Sequence, residues 1–382
     1  MSVSLEIGNV LTLSCPIFGS LFALVMLLMD TNWRSKVIHR ENHILMAYFL
    51  TVIITLTQII SLYFNPEIYI WTTSLGLLTY GMVQIFFYWF VFELTKTDLK
   101  ESFSGFHFVL PVVFAVILLA MLLVHKSIEP LVDLVNGKDA GLGRNYLLTY
   151  MGNVYGLKLL FGVAYVGFSC VRLLRYNRFI RNYSANEEKA SLRWLWFLIF
   201  ISVVAMPFPL LWIYMMGKMM VSLWAIVTYA LLLLFFYVYL TLHVIRKDRF
   251  RVIYVPEKEV ESVPSGVSSS KKVDSAVSKK SVLKKALFEE YINLQKPFLN
   301  QDLRITDLVD VFHVNRTYIS SFINVEYNMN FSTYINNHRM EEYFRLSRLP
   351  ENLHRSKQEL VEMAGFNSYR SFLRIKKEAA KG

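Results

Sequence analysis

The sequence predicts an all-α protein, with a polytopic bundle of seven membrane-spanning helices followed by a small soluble helical domain. Of its 382 residues, 54% are hydrophobic, and its mean hydropathy is positive; both values are high for a soluble protein. The apolar residues lie in blocks before residue 244, whereas the rest has the composition of an ordinary soluble domain. We therefore expect a membrane domain over 1–243, a flexible linker over 244–280 and a soluble domain over 281–382.

Seven apolar blocks are long enough to cross a hydrocarbon core of about 30 Å at about 1.5 Å per helical residue. No basic segment precedes the first block and no small-x-small cleavage site follows it, so we expect a retained helix rather than a cleaved signal. The blocks comprise residues 11–29, 44–63, 69–92, 107–124, 147–171, 194–215 and 219–243.

The basic charge of the loops predicts the orientation in the membrane. Loops 30–43, 93–106 and 172–193, with the start of the segment after 243, carry 15 Lys and Arg residues, against four on the other side. Cytoplasmic loops are the ones enriched in Lys and Arg. The N-terminus is therefore expected outside and the C-terminus in the cytoplasm, which requires an odd number of spans.

Lys158 is the most informative polar residue within the predicted spans. A lysine at the bilayer centre costs about 2.5–3.5 kcal/mol on insertion scales, and less if its amine extends to the headgroups. One interpretation is such an extension to the outer headgroups. The other is a cation that faces an outward-open pocket and pairs with a buried carboxylate or an anionic ligand, which makes Lys158 the candidate ligand-binding residue.

A glycine pattern in the fifth block indicates close helix packing. Gly152 and Gly156 form a G-x-x-x-G, and Gly162 and Gly167 follow. Small residues at this spacing let two helices approach each other closely. We expect packing within the bundle, with a homodimer through this face as the alternative.

The linker, residues 244–280, is dominated by Pro, Gly, Ser and charged residues. Such a segment behaves as a coil with an average end-to-end distance of about 35 Å. It is long enough to let a soluble domain clear the headgroups.

Residues 305–324 predict two short helices across a tight turn, the plan of a helix-turn-helix. Thr306 is the expected N-cap of the first helix, and His313-Val314-Asn315 form the break. Ile319 and Ile323 should face inward, which leaves a polar outer face. The candidate DNA-contacting residues of this unit are Asn315, Arg316, Thr317, Tyr318, Ser320 and Ser321.

Flanking helices complete the soluble domain. A first helix is expected over 281–295, and its buried face is expected to comprise Val282, Ala286, Tyr291 and Leu294 or neighbouring apolar residues. A long helix should run from Phe331 to about Leu349, and its expected core face comprises Tyr334, Ile335, Met340, Tyr343 and Phe344.

The strings VNRTYISSFIN and NMNFSTYINNHRMEEYFRL closely resemble the first half of the DNA-binding domain of AraC-family transcription regulators. That family carries two helix-turn-helix units joined by a long helix. ELVEMAGFNSYRSFLRIKK is similar to its second unit, with Gly365-Phe366-Asn367-Ser368 and Phe372 at the GF-x-S-x-x-x-F positions. The resemblance covers roughly the last 100 residues. The DNA-contacting residues it implies there are Asn367, Ser368, Tyr369, Arg370, Arg374 and Lys376.

The chain departs from the family pattern at several positions. His313 stands at the usual turn glycine, Tyr343 at an alanine, Lys357 at an apolar residue and Lys376 at an aromatic one. The departures at Lys357 and Lys376 indicate a second helix-turn-helix that folds weakly or binds mainly the DNA backbone.

The resemblance implies that the soluble domain binds double-stranded promoter DNA. Together with the apolar blocks and the loop charges, it leads us to expect a multi-pass regulator in a bacterial inner membrane, which responds to a ligand or other membrane signal. There is no P-loop, no G-x-S-x-G and no metal-spaced His/Cys cluster, so we expect no enzyme, no metal and no cofactor. Two alternatives stay open. One is a transporter or receptor with a regulatory tail, and the other is a membrane anchor whose degenerate helix-turn-helix binds a protein.

Overall fold

The computed structural model describes residues 2–30, 40–97, 101–124, 144–186, 192–205, 223–245 and 283–379. Over these ranges the chain is helical and has no strand, with one isolated backbone bridge between Ser184 and Arg304. The chain divides into two compact units. The first holds the described residues up to 96, between 101 and 174, and between 192 and 245; the second holds Thr97, residues 175–186 and residues 283–379.

The first unit contains long, apolar helices, as the sequence predicts. Six helices in the described ranges have the length and composition to cross a membrane, and they correspond to six of the seven predicted spans. The helices are α1 Ser2–Asp30, α2 Arg40–Phe64, α3 Pro66–Trp71, α4 Thr73–Leu94, α5 Val109–Val124, α6 Arg144–Tyr183, α7 Arg193–Ala205 and α8 Leu223–Ile245.

The predicted sixth span, 194–215, is described only over α7, which has 13 residues. A helix of that length rises about 20 Å, less than a hydrocarbon core requires. Residues 206–222 lie outside the described ranges, and so do the linker and most of the loop 125–146. Six is therefore the number of membrane-capable helices that the structure supports.

The third predicted span begins later than expected. Residues 66–71 form the separate helix α3, in which the Asn65 side chain accepts hydrogen bonds from the amides of Glu67 at 3.0 Å and Ile68 at 3.2 Å. Asn65 is a preferred capping residue for this reason. At Thr72 the backbone leaves helical geometry, and α4 starts at Thr73.

Helix α6 continues beyond the predicted fifth span, and the expected loop at 172–193 is helical as far as Tyr183. No Gly or Pro interrupts residues 172–183. In addition, Tyr176, Phe179, Ile180 and Tyr183 recur at helical spacing, which favours continuation of the helix. Sequence reasoning treated this segment only as a source of positive charge.

Gly152 and Gly156 do not pack against another helix within the described chain. Both are exposed, and a Cβ added at either would meet no atom within 4 Å. The expected packing role is therefore wrong here, while the homodimer alternative stays untested. Close approach occurs instead at Gly81, where an added Cβ would lie 2.9 Å from Pro111 Cβ.

The second unit contains, besides residues 175–186, six α-helices within 283–379. A short 3-10 turn at Pro297–Leu299 separates the first two. Three residues join the second to the third, and five join the fifth to the sixth. The helices are α9 Lys285–Gln295, α10 Ile305–Phe312, α11 Arg316–Tyr327, α12 Phe331–Ser347, α13 Lys357–Met363 and α14 Tyr369–Ala379.

Local expectations for this unit were wrong at four positions. The N-cap of α10 is Arg304 rather than Thr306, and the Arg304 amide donates to Asp307 Oδ2 at 2.8 Å. Ala286 is exposed, Leu294 is 71% exposed and Phe344 is 40% exposed, so none of them belongs to the core. Neighbouring apolar side chains, Phe288 and Ile292 of α9 and Leu346 of α12, face inward instead.

Candidate functional site

Local backbone chemistry sets the position of α11. His313 ends α10 in the left-handed region, with φ 52°, which a side chain tolerates less well than glycine. Asn315 then caps α11, because its side chain accepts a hydrogen bond from the Tyr318 amide at 2.8 Å. Ile319 and Ile323 are fully buried, so the helix faces inward along the predicted stripe.

The predicted DNA-contacting residues of α11 divide into exposed and packed groups. Asn315, Thr317 and Ser321 are exposed, and Ser320 is partly so. Tyr318 is held inside the unit, where its hydroxyl accepts a hydrogen bond from the Leu283 amide at 3.2 Å. Its role in this structure is therefore to fix α11 against the start of the domain.

Arg316 is half-buried at the start of α11. Its guanidinium carbon lies 4.9 Å from the ring centroid of Phe179, over the ring face. This is cation–π geometry. Arg316, the predicted base-reading residue of the first helix-turn-helix, is thus covered by Phe179 near the C-terminal end of α6.

The candidate residues of α14 divide in the same way. Arg370 and Lys376 are exposed, and Lys376 Nζ lies 5.9 Å from the Phe344 ring centroid. Tyr369 stacks on Phe372 in the core, and the Ser368 side chain accepts a hydrogen bond from the Ser371 amide at 3.1 Å.

Asn367 and Arg374 line a small polar cleft beside α14. Asn186, Asn336 and Arg339 line the same cleft. Arg374 also pairs with Glu378 on its own helix at 3.7 Å. Asn367 and Arg374, predicted to contact DNA from the second helix-turn-helix, therefore share a cleft with Asn186, which follows α6.

Gly365 explains why a glycine is needed between α13 and α14. Its φ of +90° is rarely adopted by residues with a side chain. A Cβ added there would also lie 2.8 Å from Leu299 Cα. The turn between the two helices is thus pressed directly against the 3-10 turn at Pro297–Leu299.

Arg339 of α12 is a buried residue that the sequence did not single out. It is 2% exposed, and its guanidinium donates to the carbonyls of Phe298 and Asn300, both at 2.7 Å. Further donations go to Asn336 Oδ1 at 3.2 Å and to the Ala185 carbonyl at 3.4 Å. Burial lowers the pKa of Arg339 to about 10, which leaves it charged at neutral pH. An arginine on an expected core face was the available signal.

A charged group joins α12 to the end of α9. Glu342 accepts hydrogen bonds from Arg345 at 2.7 and 2.9 Å and from Lys296 Nζ at 3.1 Å. The bonds from Arg345, and then those from Lys296, lower the pKa of the Glu342 carboxyl to about 2. Lys296 itself has a positive φ of 45°, so the ion pair holds a strained position.

Lys158 lies inside the first unit rather than at its surface. Lys158 is 6% exposed, and its Nζ lies 5.4 Å from the Tyr155 ring centroid and 5.9 Å from the Tyr80 ring centroid. Within the described ranges it forms no ion pair. The hydroxyls of Tyr155 and Tyr69 pair with each other at 3.0 Å beside it. The amine therefore faces aromatic rings within the helix bundle and does not lie at the surface.

No group of His, Cys, Asp and Glu side chains among the described residues could hold a metal ion. No protein-family model matches the chain, and no curated protein or solved structure matches it either. A function for this chain must therefore be argued from its own residues and geometry.

Proposed function

We propose that the protein is a membrane-embedded transcription regulator. Its soluble unit binds specific promoter DNA through α11 and α14, and the helix bundle controls that binding in response to a signal. The main support is the pair of short helix-turn-helix arrangements on either side of the 17-residue helix α12, together with the AraC-like strings that form them. Each second helix leaves polar or basic side chains at the surface, Thr317 and Ser321 in one and Arg370 and Lys376 in the other.

Charge is distributed locally rather than over the whole domain. From residue 281 onward there are 15 Lys and Arg against 12 Asp and Glu, a net charge of only +3. Attraction to phosphate must therefore come from particular side chains. We propose that α11 reads sequence, with Arg316 binding guanine O6 and N7, and that α14 mainly holds phosphate through Arg370, Arg374 and Lys376.

Selection of binding sites from a random duplex library tests this division with the full chain in detergent. Arg316→Ala should relax base preference at one half of the site, a loss of about 1–3 kcal/mol of discrimination. Lys376→Ala should weaken all sites alike and reduce the salt slope by about one unit. Leu353→Ala, at an exposed position between α12 and α13, is the control. The assignment is reversed if Lys376→Ala changes the selected bases and Arg316→Ala does not.

A contact inside the second unit supports seven crossings. The Ala185 amide, just after α6, donates to the Leu303 carbonyl at 3.1 Å. Residues on opposite sides of a membrane cannot form this bond, so the chain between them must cross an even number of times. We propose that the apolar block predicted over 194–215 and α8 supply two crossings. A reporter active only in the cytoplasm should work when fused after residue 250 and fail after residue 138; the opposite result would contradict both the proposed orientation and DNA binding.

We further propose that Lys158 binds an anionic group of the signal. Burial of an unpaired ammonium is costly, and an incoming carboxylate or phosphate would offset that cost. Lys158→Met should leave insertion and abundance intact but abolish the transcriptional response. Lys96→Met, at the end of α4, is the matched control. An unaltered response in Lys158→Met would rule out this role.

A protein-binding tail is the second candidate function, and exposed apolar side chains favour it. Leu353 is 79% exposed and Leu373 is 47% exposed, in addition to Phe344. Library selection separates the two functions, because a tail that binds only protein would enrich no DNA sequence at any salt concentration.

A further inference from the structure

The C-terminal end of α6 and the residues after it belong to the second unit and are buried along one side. Tyr176, Ile180 and Tyr183 lie on one helical face, and each is at most 3% exposed. Ser184, Ala185 and Asn186 are also buried, although the helix has ended. The arginines of this stretch, Arg175, Arg178 and Arg181, are all exposed. The stretch is thus amphipathic, with its apolar side packed into protein.

At one end this stretch contacts Arg316, the first residue of α11. Phe179 stacks on Tyr183, with ring centroids 5.3 Å apart, and its ring face lies against the Arg316 guanidinium. A recognition helix must enter a major groove about 12 Å wide. A helix with its side chains is already about 10–12 Å in diameter, so α11 cannot enter the groove with a second helix on its first turn.

At the other end, Ala185 forms hydrogen bonds with the loop before α10 and with α12. Ser184 and Arg304 form an antiparallel bridge, with the Ala185 amide bonded to the Leu303 carbonyl at 3.1 Å. The Ala185 carbonyl accepts from Asn336 Nδ2 and from Arg339, both at 3.4 Å. Asn186 then lines the cleft beside Asn367 and Arg374 of α14. One short stretch therefore contacts the start of α11 and shares a cleft with α14, the two helices proposed to bind DNA.

We propose that residues 179–186 and DNA are mutually exclusive occupants of this surface. The structure corresponds to the closed state, in which the stretch withholds Arg316 from bases. Because α6 runs unbroken from the predicted fifth span into this stretch, a signal that shifts the span changes the fraction of chains with the surface open. The inference rests on the proposed DNA binding, and it names how that binding is controlled.

A reversible lock tests the closed state. Ser184 and Arg304 face each other across a non-hydrogen-bonded antiparallel pair, in which Cα atoms are about 4.5 Å apart, close enough for a disulfide. We would introduce Ser184→Cys and Arg304→Cys in a chain with Cys15→Ala and Cys170→Ala. The oxidised chain in nanodiscs should bind a random-sequence duplex of about three helical turns at least about 100-fold more weakly than the reduced chain, since a lock above about 99% leaves about 1% competent.

A variant that uncovers Arg316 should raise the affinity for DNA, whereas misfolding would lower it. Phe179→Ala removes the ring from Arg316 and should tighten binding of the same duplex about 3- to 30-fold. Leu294→Ala, at an exposed apolar position of α9, is the control and should not change affinity.

The outcomes separate this inference from the proposed function. Failure of the cysteine pair to oxidise would overturn the closed state without reference to DNA. Equal DNA binding by the oxidised and reduced chains, or no gain in Phe179→Ala, would overturn the competition and leave DNA binding in place. If the reduced double-cysteine chain and Phe179→Ala both fail to bind the duplex, the proposed DNA binding is wrong, and the competition that rests on it is wrong as well.

Discussion

Arg339→Met is expected to destabilise the second unit by an amount that its contacts allow to be estimated. Methionine retains most of the apolar stem but removes every donor. The Phe298 carbonyl is then left buried without a partner, which costs about 1–3 kcal/mol. The Asn300 carbonyl belongs to an exposed residue, so water can replace its donor, and the loss there is that of one hydrogen bond, about 1 kcal/mol. The expected loss is about 2–4 kcal/mol, a large part of the stability of an ordinary domain.

Hydrogen exchange measured by mass spectrometry on the full chain in detergent is the suitable assay. It reports local opening free energies separately for peptides of each unit. A loss of about 2–4 kcal/mol corresponds to about 30- to 700-fold faster exchange in peptides of α10, α12 and α13. Peptides of the first unit serve as an internal reference.

Arg345→Met is the matched control, because it removes the same functional group from the same helix. The Arg345 side chain is 51% exposed and pairs with Glu342 alone among the described residues. Such a partly exposed pair contributes about 0–1 kcal/mol, or at most about a fivefold change in exchange. If Arg339→Met accelerates exchange no more than Arg345→Met does, the buried hydrogen bonds of Arg339 do not hold this unit together.

Two further substitutions follow from the same unit. Gly365→Ala should cost at least about 2 kcal/mol, because it combines a positive φ with a backbone clash at Leu299; exchange in α13 and α14 as slow as in wild type would contradict this. For Glu342, whose pKa is lowered to about 2 by Arg345 and then Lys296, the stabilisation is present above about pH 4.5 and is lost as the pH falls towards 2. Glu342→Gln should therefore be less stable than wild type at pH 6, and its stability should no longer fall as this carboxyl is protonated. If the stabilities of the two chains fall in parallel between pH 6 and pH 2, this prediction is wrong.

The sequence alone determines much of the helix placement. Apolar blocks at membrane length predict six of the helices that the structure contains, because the bilayer thickness sets a minimum run of apolar residues. The Asn315 cap and the inward positions of Ile319 and Ile323 also agree with expectation, since capping and 3.6-residue periodicity are local properties.

Other features depend on neighbours that are distant in the chain. Charge made residues 172–193 look like a loop, and only the packed unit explains why Phe179 and Ala185 lie against residues more than 100 positions away. The burial of Arg339 likewise depends on carbonyls of the 3-10 turn before α10. Periodicity cannot predict such contacts, because it identifies the side chains that face inward and not the groups that they meet.

The candidate site shows the same division. Residue type at helical spacing singled out Arg316, Arg374 and Lys158 as side chains able to bind anions. The tertiary structure decided their surroundings: Phe179 covers Arg316, Arg374 lines a cleft with Asn186, and aromatic rings enclose Lys158. The physical reason is that charge and hydrogen-bonding capacity belong to the residue, whereas its accessibility is decided by the segments that fold against it.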